Sequence, residues 1–196
     1  MSNLLKKLKA YFELSSVASI ARRCFIKNGF DGAMTVLGIV IGAFISEITN
    51  PIWILSTGIG VSIAMGLSGF FGAYITEESE RSITLTNIEK SMLRKLDKTV
   101  LGRAEKFAII LVALIDGLSP FIISMISLIP FVFSIFNIIP ILHAIYFSLA
   151  ITLSTLFFLG LYLGKVSKKN ALMTGFKMLL AGLLLTIISF VFKIFI

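Results

Sequence analysis

Residues 107–136 read FAIILVALIDGLSPFIISMISLIPFVFSIF, and Asp116 is the only charged residue among them. A run of about 18 or more apolar residues is long enough to cross the hydrocarbon core of a bilayer as a helix. Pro120 and Pro130 interrupt the run without adding charge. The stretch therefore predicts a transmembrane helix and places the chain among integral membrane proteins.

Four further apolar stretches predict four more spans, at residues 25–48, 52–75, 141–163 and 171–195. The composition agrees, because 57% of the residues are hydrophobic and 14% are charged. Soluble domains are about 45–50% apolar and about 25% charged. We predict an all-α integral membrane fold of five transmembrane helices.

The sequence predicts a single transmembrane domain, residues 1–196, in four parts. These are an amphipathic arm (1–24), spans one and two (25–76), a cytoplasmic loop or helix (77–106) and spans three to five (107–196). Leucines and aromatic residues recur in the arm at roughly helical spacing, with lysines between them. This pattern favours a helix on the bilayer surface or an extension of the first span. Residues 86–89, TNIE, fit a capping box and predict a short separate helix there.

Lysine and arginine lie almost entirely on one side of the predicted spans. Six occur before residue 28, seven in 77–106 and three in 165–169, of 18 in the chain. The positive-inside rule then places the N-terminus in the cytoplasm and the C-terminus outside. These topology signals account for the net charge of +8, so we expect no nucleic-acid partner. The cell membrane of a prokaryote, or a vacuole-like membrane, is the expected location.

Several classes of chemistry are excluded by residue counts. Cys24 and His143 are the only cysteine and histidine, so neither an intrachain disulfide nor a Cys/His zinc site can form. No hydrolase triad, phosphate loop or redox motif occurs. We therefore predict that the chain is not an enzyme and carries no resident cofactor.

Two carboxylates interrupt the predicted spans. Asp31 and Asp116 are each followed by glycine, and a carboxylate at a span centre costs about 2.5–3.5 kcal/mol on insertion scales. Pro120 has no N–H to bond the carbonyl of Asp116, which leaves that oxygen available to a cation or proton. Alternatively, Lys27, Lys177 or a backbone N–H merely neutralises each aspartate.

Further candidate metal ligands lie on the second span and just after it. Glu77, Glu78 and Glu80 cluster where the span ends, and clustered carboxylates suit hard cations. Met65 offers a thioether for a transition metal. The alternatives are a solvated helix end with Arg81 as counter-charge, and packing for the methionine.

Glycine is frequent in the first two spans. Gly38 and Gly42 form a GxxxG pattern, and small residues allow helices to approach closely in lipid. The pattern favours tight packing of spans one and two, or dimerisation.

Several blocks together resemble the vacuolar iron transporter family. The segment DGAMTVLG at 31–38 resembles the start of that family's first span, and GFFGAYI at 69–75, running into Arg81, resembles the end of its second. Residues 129–131, 160–165 and 175–182 resemble its later spans. The resemblance covers most of 31–81 and 107–195.

The resemblance implies a homodimer that moves ferrous iron, and sometimes manganese, out of the cytosol in exchange for protons. Asp31 matches the family's first-span carboxylate. Four departures concern single positions: Cys24, Gly69 and Ala73 stand where the family has an acid, a methionine and a glutamate, and Asp116 stands where it has a small residue. The 77–106 region is also short.

We thus expect a proton-coupled secondary transporter that exports a divalent transition-metal cation, Fe²⁺ or Mn²⁺, as substrate. Asp31 would bind the ion or a proton, the glutamates would gather cations, and Asp116 would supply a second carboxylate or the coupling proton site. The alternatives are a dimeric membrane scaffold or regulator that does not transport, and a carrier of another solute.

Overall fold

The computed structural model describes residues 17–96 and 99–195, and its regular structure is entirely helical there. The helices are α1 (Val17–Ile45), α2 (Pro51–Met92), α3 (Val100–Ile135), α4 (Ile141–Val166) and α5 (Ala171–Phe195). All five are long and apolar enough to cross a membrane. The prediction of five spans, and of a multi-pass membrane protein in contact with lipid, is confirmed at this level.

Helix α2 departs from the predicted boundaries. It has 42 residues, or about 63 Å at 1.5 Å per residue, twice the roughly 30 Å of a hydrocarbon core. The predicted capping box at 86–89 starts no new helix and lies inside α2, which corrects that prediction. The reason is that residues 76–85 contain neither glycine nor proline, so nothing ends the helix where the sequence turns polar.

The arm is described only from Val17 onward. Residues 17–24 form the first turns of α1, in line with the alternative that the arm extends the first span. The surface helix expected over the earlier part of the arm lies outside the described residues.

The helices end in a common way. Four of them are followed by a non-glycine residue with positive φ: Glu47, Leu93, Asn137 and Lys168. The next residue in each case donates its N–H to a carbonyl five positions back, at 2.9–3.2 Å. These are Schellman bonds, which satisfy the last carbonyls of a helix within a very short connection.

The start of α2 is built as the sequence predicts. Pro51 occupies the first helical position, where a missing N–H costs little. The side chain of Asn50 accepts a hydrogen bond from the Ile52 N–H at 2.9 Å.

Contacts divide the chain into two compact units. The first consists of the chain up to Phe25 together with Gly66–Leu118, and the second of Ile26–Met65 together with the chain from Ser119. Several helices contribute residues to both units, so each unit is described by itself.

The second unit holds the larger apolar core. Two clusters of buried side chains lie there, one around Phe131 and Leu128 and the other around Leu37 and Leu156. Buried hydroxyls are bonded to backbone carbonyls, as in the 2.6 Å bond from Ser148 Oγ to the Ser127 oxygen. This satisfies polar groups that would otherwise be costly in an apolar surrounding.

Glycines bring helices together within the second unit. A Cβ atom on Gly160 would lie 2.6 Å from Gly175 Cα, so α4 and α5 touch backbone to backbone. A Cβ atom on Gly32 would lie 2.7 Å from the Pro120 oxygen. The Gly32 carbonyl also accepts a hydrogen bond from Ser124 at 3.3 Å.

The GxxxG glycines behave differently. Nothing lies within 4 Å of a Cβ atom placed on Gly38 or Gly42. They line an open groove of about 600 Å³ together with residues 47–50 and Trp53. The predicted close packing of spans one and two does not involve this glycine pair.

Candidate functional site

A thiol and a carboxylate meet in the first unit. The Cys24 thiol on α1 lies within hydrogen-bonding reach of the Asp116 carboxylate on α3. Both residues are half-buried, and both lie in helices that are apolar enough to span a membrane. The pair is therefore a polar site within apolar helices.

Glycine on α2 makes room for this pair. A Cβ atom on Gly69 would lie 2.9 Å from the Asp116 carbonyl oxygen and 3.3 Å from its Oδ2. The two helices are equally close at the next residue of α3, because a Cβ atom on Gly117 would lie 2.5 Å from the Gly66 oxygen. The backbones of α2 and α3 are thus in direct contact at Asp116.

The carbonyl of Asp116 is part of the same site. Its helical partner would be the N–H of residue 120, which is a proline and has none. The carbonyl oxygen and the carboxylate of Asp116 both lie against Gly69. The carbonyl and carboxylate oxygens of Asp116 therefore lie near the thiol of Cys24, a neighbour that the sequence did not predict.

Three of the four single positions at which the sequence departs from the iron transporter pattern meet here, and the fourth, Ala73, is not among these contacts. Cys24, Gly69 and Asp116 come from three different helices. Sequence reasoning identified each departure separately and did not connect them. The signal available was that one position loses an acid while another gains one.

A second polar cluster lies on the extended part of α2. Arg81 is buried, with 8% exposure, and its Nε donates to Glu77 Oε2 at 2.8 Å. Its NH1 group donates to Glu105 of α3. We name this arrangement of Arg81, Glu77 and Glu105 the arginine clamp.

Only one of the three glutamates of the predicted cation-binding cluster belongs to the clamp. Glu77 is bonded to Arg81, as the counter-charge alternative proposed, and Glu105 joins it across the connection. Glu78 lines a partly open cavity of about 360 Å³ beside the clamp, and Glu80 is exposed. The three glutamates therefore lie in three different settings.

Asp31 and Met65 belong to the second unit. Asp31 is exposed and Met65 half-buried, and the Asp31 carbonyl accepts a hydrogen bond from Thr35 at 2.8 Å. Asp31 forms no ion pair with a lysine or arginine among the residues that the structure describes. Over those same residues, no three histidine, cysteine, aspartate or glutamate side chains come close enough together to hold a metal ion.

Comparison with known proteins identifies a relative. The chain is 33% identical over 174 residues to the uncharacterized protein MJ0645 of Methanocaldococcus jannaschii, and the match covers 87% of each chain. No protein-family model matches the chain.

Proposed function

This chain belongs to one family with the uncharacterized Methanocaldococcus jannaschii protein, and we propose that it is a secondary transporter exporting a divalent transition-metal cation in exchange for protons. The observation that carries the proposal is the Cys24–Asp116 pair. Ionisable groups inside apolar helices are costly, and they typically mark ion or proton paths. The resemblance to the vacuolar iron transporter family favours Fe²⁺ or Mn²⁺ as the substrate.

Asp116 supplies the oxygen ligands in this proposal. In this proposal the carboxylate and the carbonyl oxygen of this one residue both coordinate the cation, as at broken helices in other secondary transporters. Cys24 holds the carboxylate in place through its hydrogen bond while the ion is absent. The thiol also offers a softer ligand, which suits transition metals better than Mg²⁺ or Ca²⁺.

Asp31 is the second ionisable group of the proposed path. Because it has no ion-pair partner within the described chain, its carboxylate is available to an ion or a proton. Glu78 and Glu80 would attract cations on the side where the basic residues cluster, which the positive-inside rule assigns to the cytoplasm. Export then runs from the cytoplasmic side to the side on which the C-terminus is predicted to lie.

The arginine clamp favours a second candidate, a dimeric membrane scaffold or regulator that does not transport. In the clamp one guanidinium is bonded to both Glu77 and Glu105, so these carboxylates serve structure rather than cation capture. The open groove along Gly38 and Gly42 offers a surface for the second copy.

Metal flux into proteoliposomes tests the transport proposal. Purified protein is reconstituted with an imposed pH gradient, and uptake of Fe²⁺ and Mn²⁺ is followed for the wild type, Asp31→Asn and Asp116→Asn. We expect proton-dependent flux in the wild type and at least a tenfold loss in each variant. Glu47→Gln is the matched control, since Glu47 is an exposed acid outside the proposed path.

Two results would count against the proposal. If the folded wild type moves neither ion, the scaffold becomes the leading candidate. If both aspartate variants carry ions as fast as Glu47→Gln, transport does not use these carboxylates. Circular dichroism and gel filtration of every variant separate a lost path from a lost fold.

A further inference from the structure

The cavity beside the arginine clamp lies where the sequences of α2 and α3 change between apolar and polar. On α2 the apolar sequence ends near Tyr74, and on α3 it begins just after Lys106. The cavity is lined both by apolar residues, among them Ile109 and Ile110, and by charged residues, among them Glu78 and Lys106. It therefore straddles the boundary between apolar span and polar extension, the level at which lipid headgroups lie.

The charges around the cavity are not all matched. Arg81 is bonded to the two clamp carboxylates. Glu78 and Lys106 also line the cavity, and neither forms an ion pair with any residue in the described ranges. The clamp carries one positive and two negative charges, and Glu78 and Lys106 add an acid and a base without an ion-pair partner that face the same space.

We propose that this cavity binds the headgroup of a zwitterionic phospholipid, one that carries both a phosphate and a primary amine. Lys106 receives the phosphate and Glu78 receives the amine. The apolar lining by Tyr74, Ile109 and Ile110 contacts the glycerol and the first acyl carbons. A volume of about 360 Å³ is at the lower end of ligand pockets, so it holds a headgroup while the acyl chains stay in the bilayer.

Charge and shape argue against the simpler ligands. An anionic headgroup without an amine would satisfy Lys106 and leave Glu78 facing a negative charge. A free phosphoamine of the same chemistry would gain nothing from the isoleucines at the cavity edge. The binding of both alternative ligands, the anionic lipid and the free phosphoamine, can be measured directly.

Native mass spectrometry of the full chain in detergent tests the proposal. The probes are dihexanoyl phosphatidylethanolamine below its micelle concentration, dihexanoyl phosphatidylglycerol, and free O-phosphoethanolamine. EDTA is present throughout, so the assay reports lipid binding alone and its failure leaves the transport proposal intact.

We expect the ethanolamine lipid to bind most tightly. Glu78→Gln and Lys106→Gln should each weaken it about tenfold or more, as for a lost charged hydrogen bond, and Lys106→Arg should retain it. The matched controls are Glu47→Gln and Arg103→Gln, which remove exposed charges that do not line the cavity. They should stay within about twofold of the wild type.

Three outcomes would overturn the proposal. Equal binding of the glycerol lipid would show that the amine is not recognised. Equal binding of free O-phosphoethanolamine would show that the ligand is a solute rather than a lipid. Equal affinities in the cavity variants and the control variants would place the lipid elsewhere on the protein.

Discussion

Replacing Gly117 by alanine is the most direct test of the contact that builds the candidate site. The added Cβ atom would lie 2.5 Å from the Gly66 carbonyl oxygen and 2.9 Å from Phe70 Cβ. Neither neighbour can swing away, because one is backbone and the other is the first atom of a side chain. The two helices must therefore separate by several tenths of an ångström.

The magnitude follows from two opposing effects. Overpacking of this kind costs about 1–3 kcal/mol, while exchanging glycine for alanine in a helix recovers about 0.5–1 kcal/mol. We expect Gly117→Ala to lower the free energy of unfolding by about 1–2 kcal/mol. Gly72→Ala is the matched control, because nothing lies within 4 Å of a Cβ atom there, and it should raise stability by about 0.5–1 kcal/mol.

Unfolding in mixed micelles of rising dodecyl sulfate content provides the assay, with the fluorescence of Trp53, the only tryptophan, as the signal. The free energy of unfolding should fall in Gly117→Ala and rise in Gly72→Ala, although the chemical change is the same. If both alanines shift the transition equally and in the same direction, α2 and α3 are not in backbone contact at Asp116.

Two further pairs of variants test the polar contacts of the first unit. Arg81→Gln should lower the free energy of unfolding by about 2–4 kcal/mol in the same assay, because it leaves two carboxylates close together with no cation between them. The control, Arg103→Gln at an exposed position, should lower it by less than about 0.5 kcal/mol. Equal losses would show that the clamp does not contribute to stability. Cys24→Ser keeps a hydrogen-bond donor toward Asp116 and should retain metal flux, whereas Cys24→Ala removes the donor and should lower flux severalfold; equal flux in the two would contradict the role given to the thiol.

The spans were predictable because apolar length alone decides whether a helix crosses a bilayer. The ends were less so: α2 runs on to Met92 because a change from apolar to polar residues does not interrupt helical hydrogen bonds, and the helix ends where Leu93, a non-glycine residue, adopts positive φ. The pairing of Arg81 with Glu105 and of Cys24 with Asp116 was not predictable in the same way. These partners come from different helices, and one sequence shows which residues are unusual without showing which of them meet.

The shortness of the connections has a topological consequence. The longest, residues 93–99, can reach about 24 Å even when fully extended, and the other three are shorter. None can cross a hydrocarbon core of about 30 Å, so consecutive spans must run in opposite directions. Insertion of the whole chain therefore reduces to one binary choice, and the direction in which α1 enters the bilayer decides the direction of every later helix.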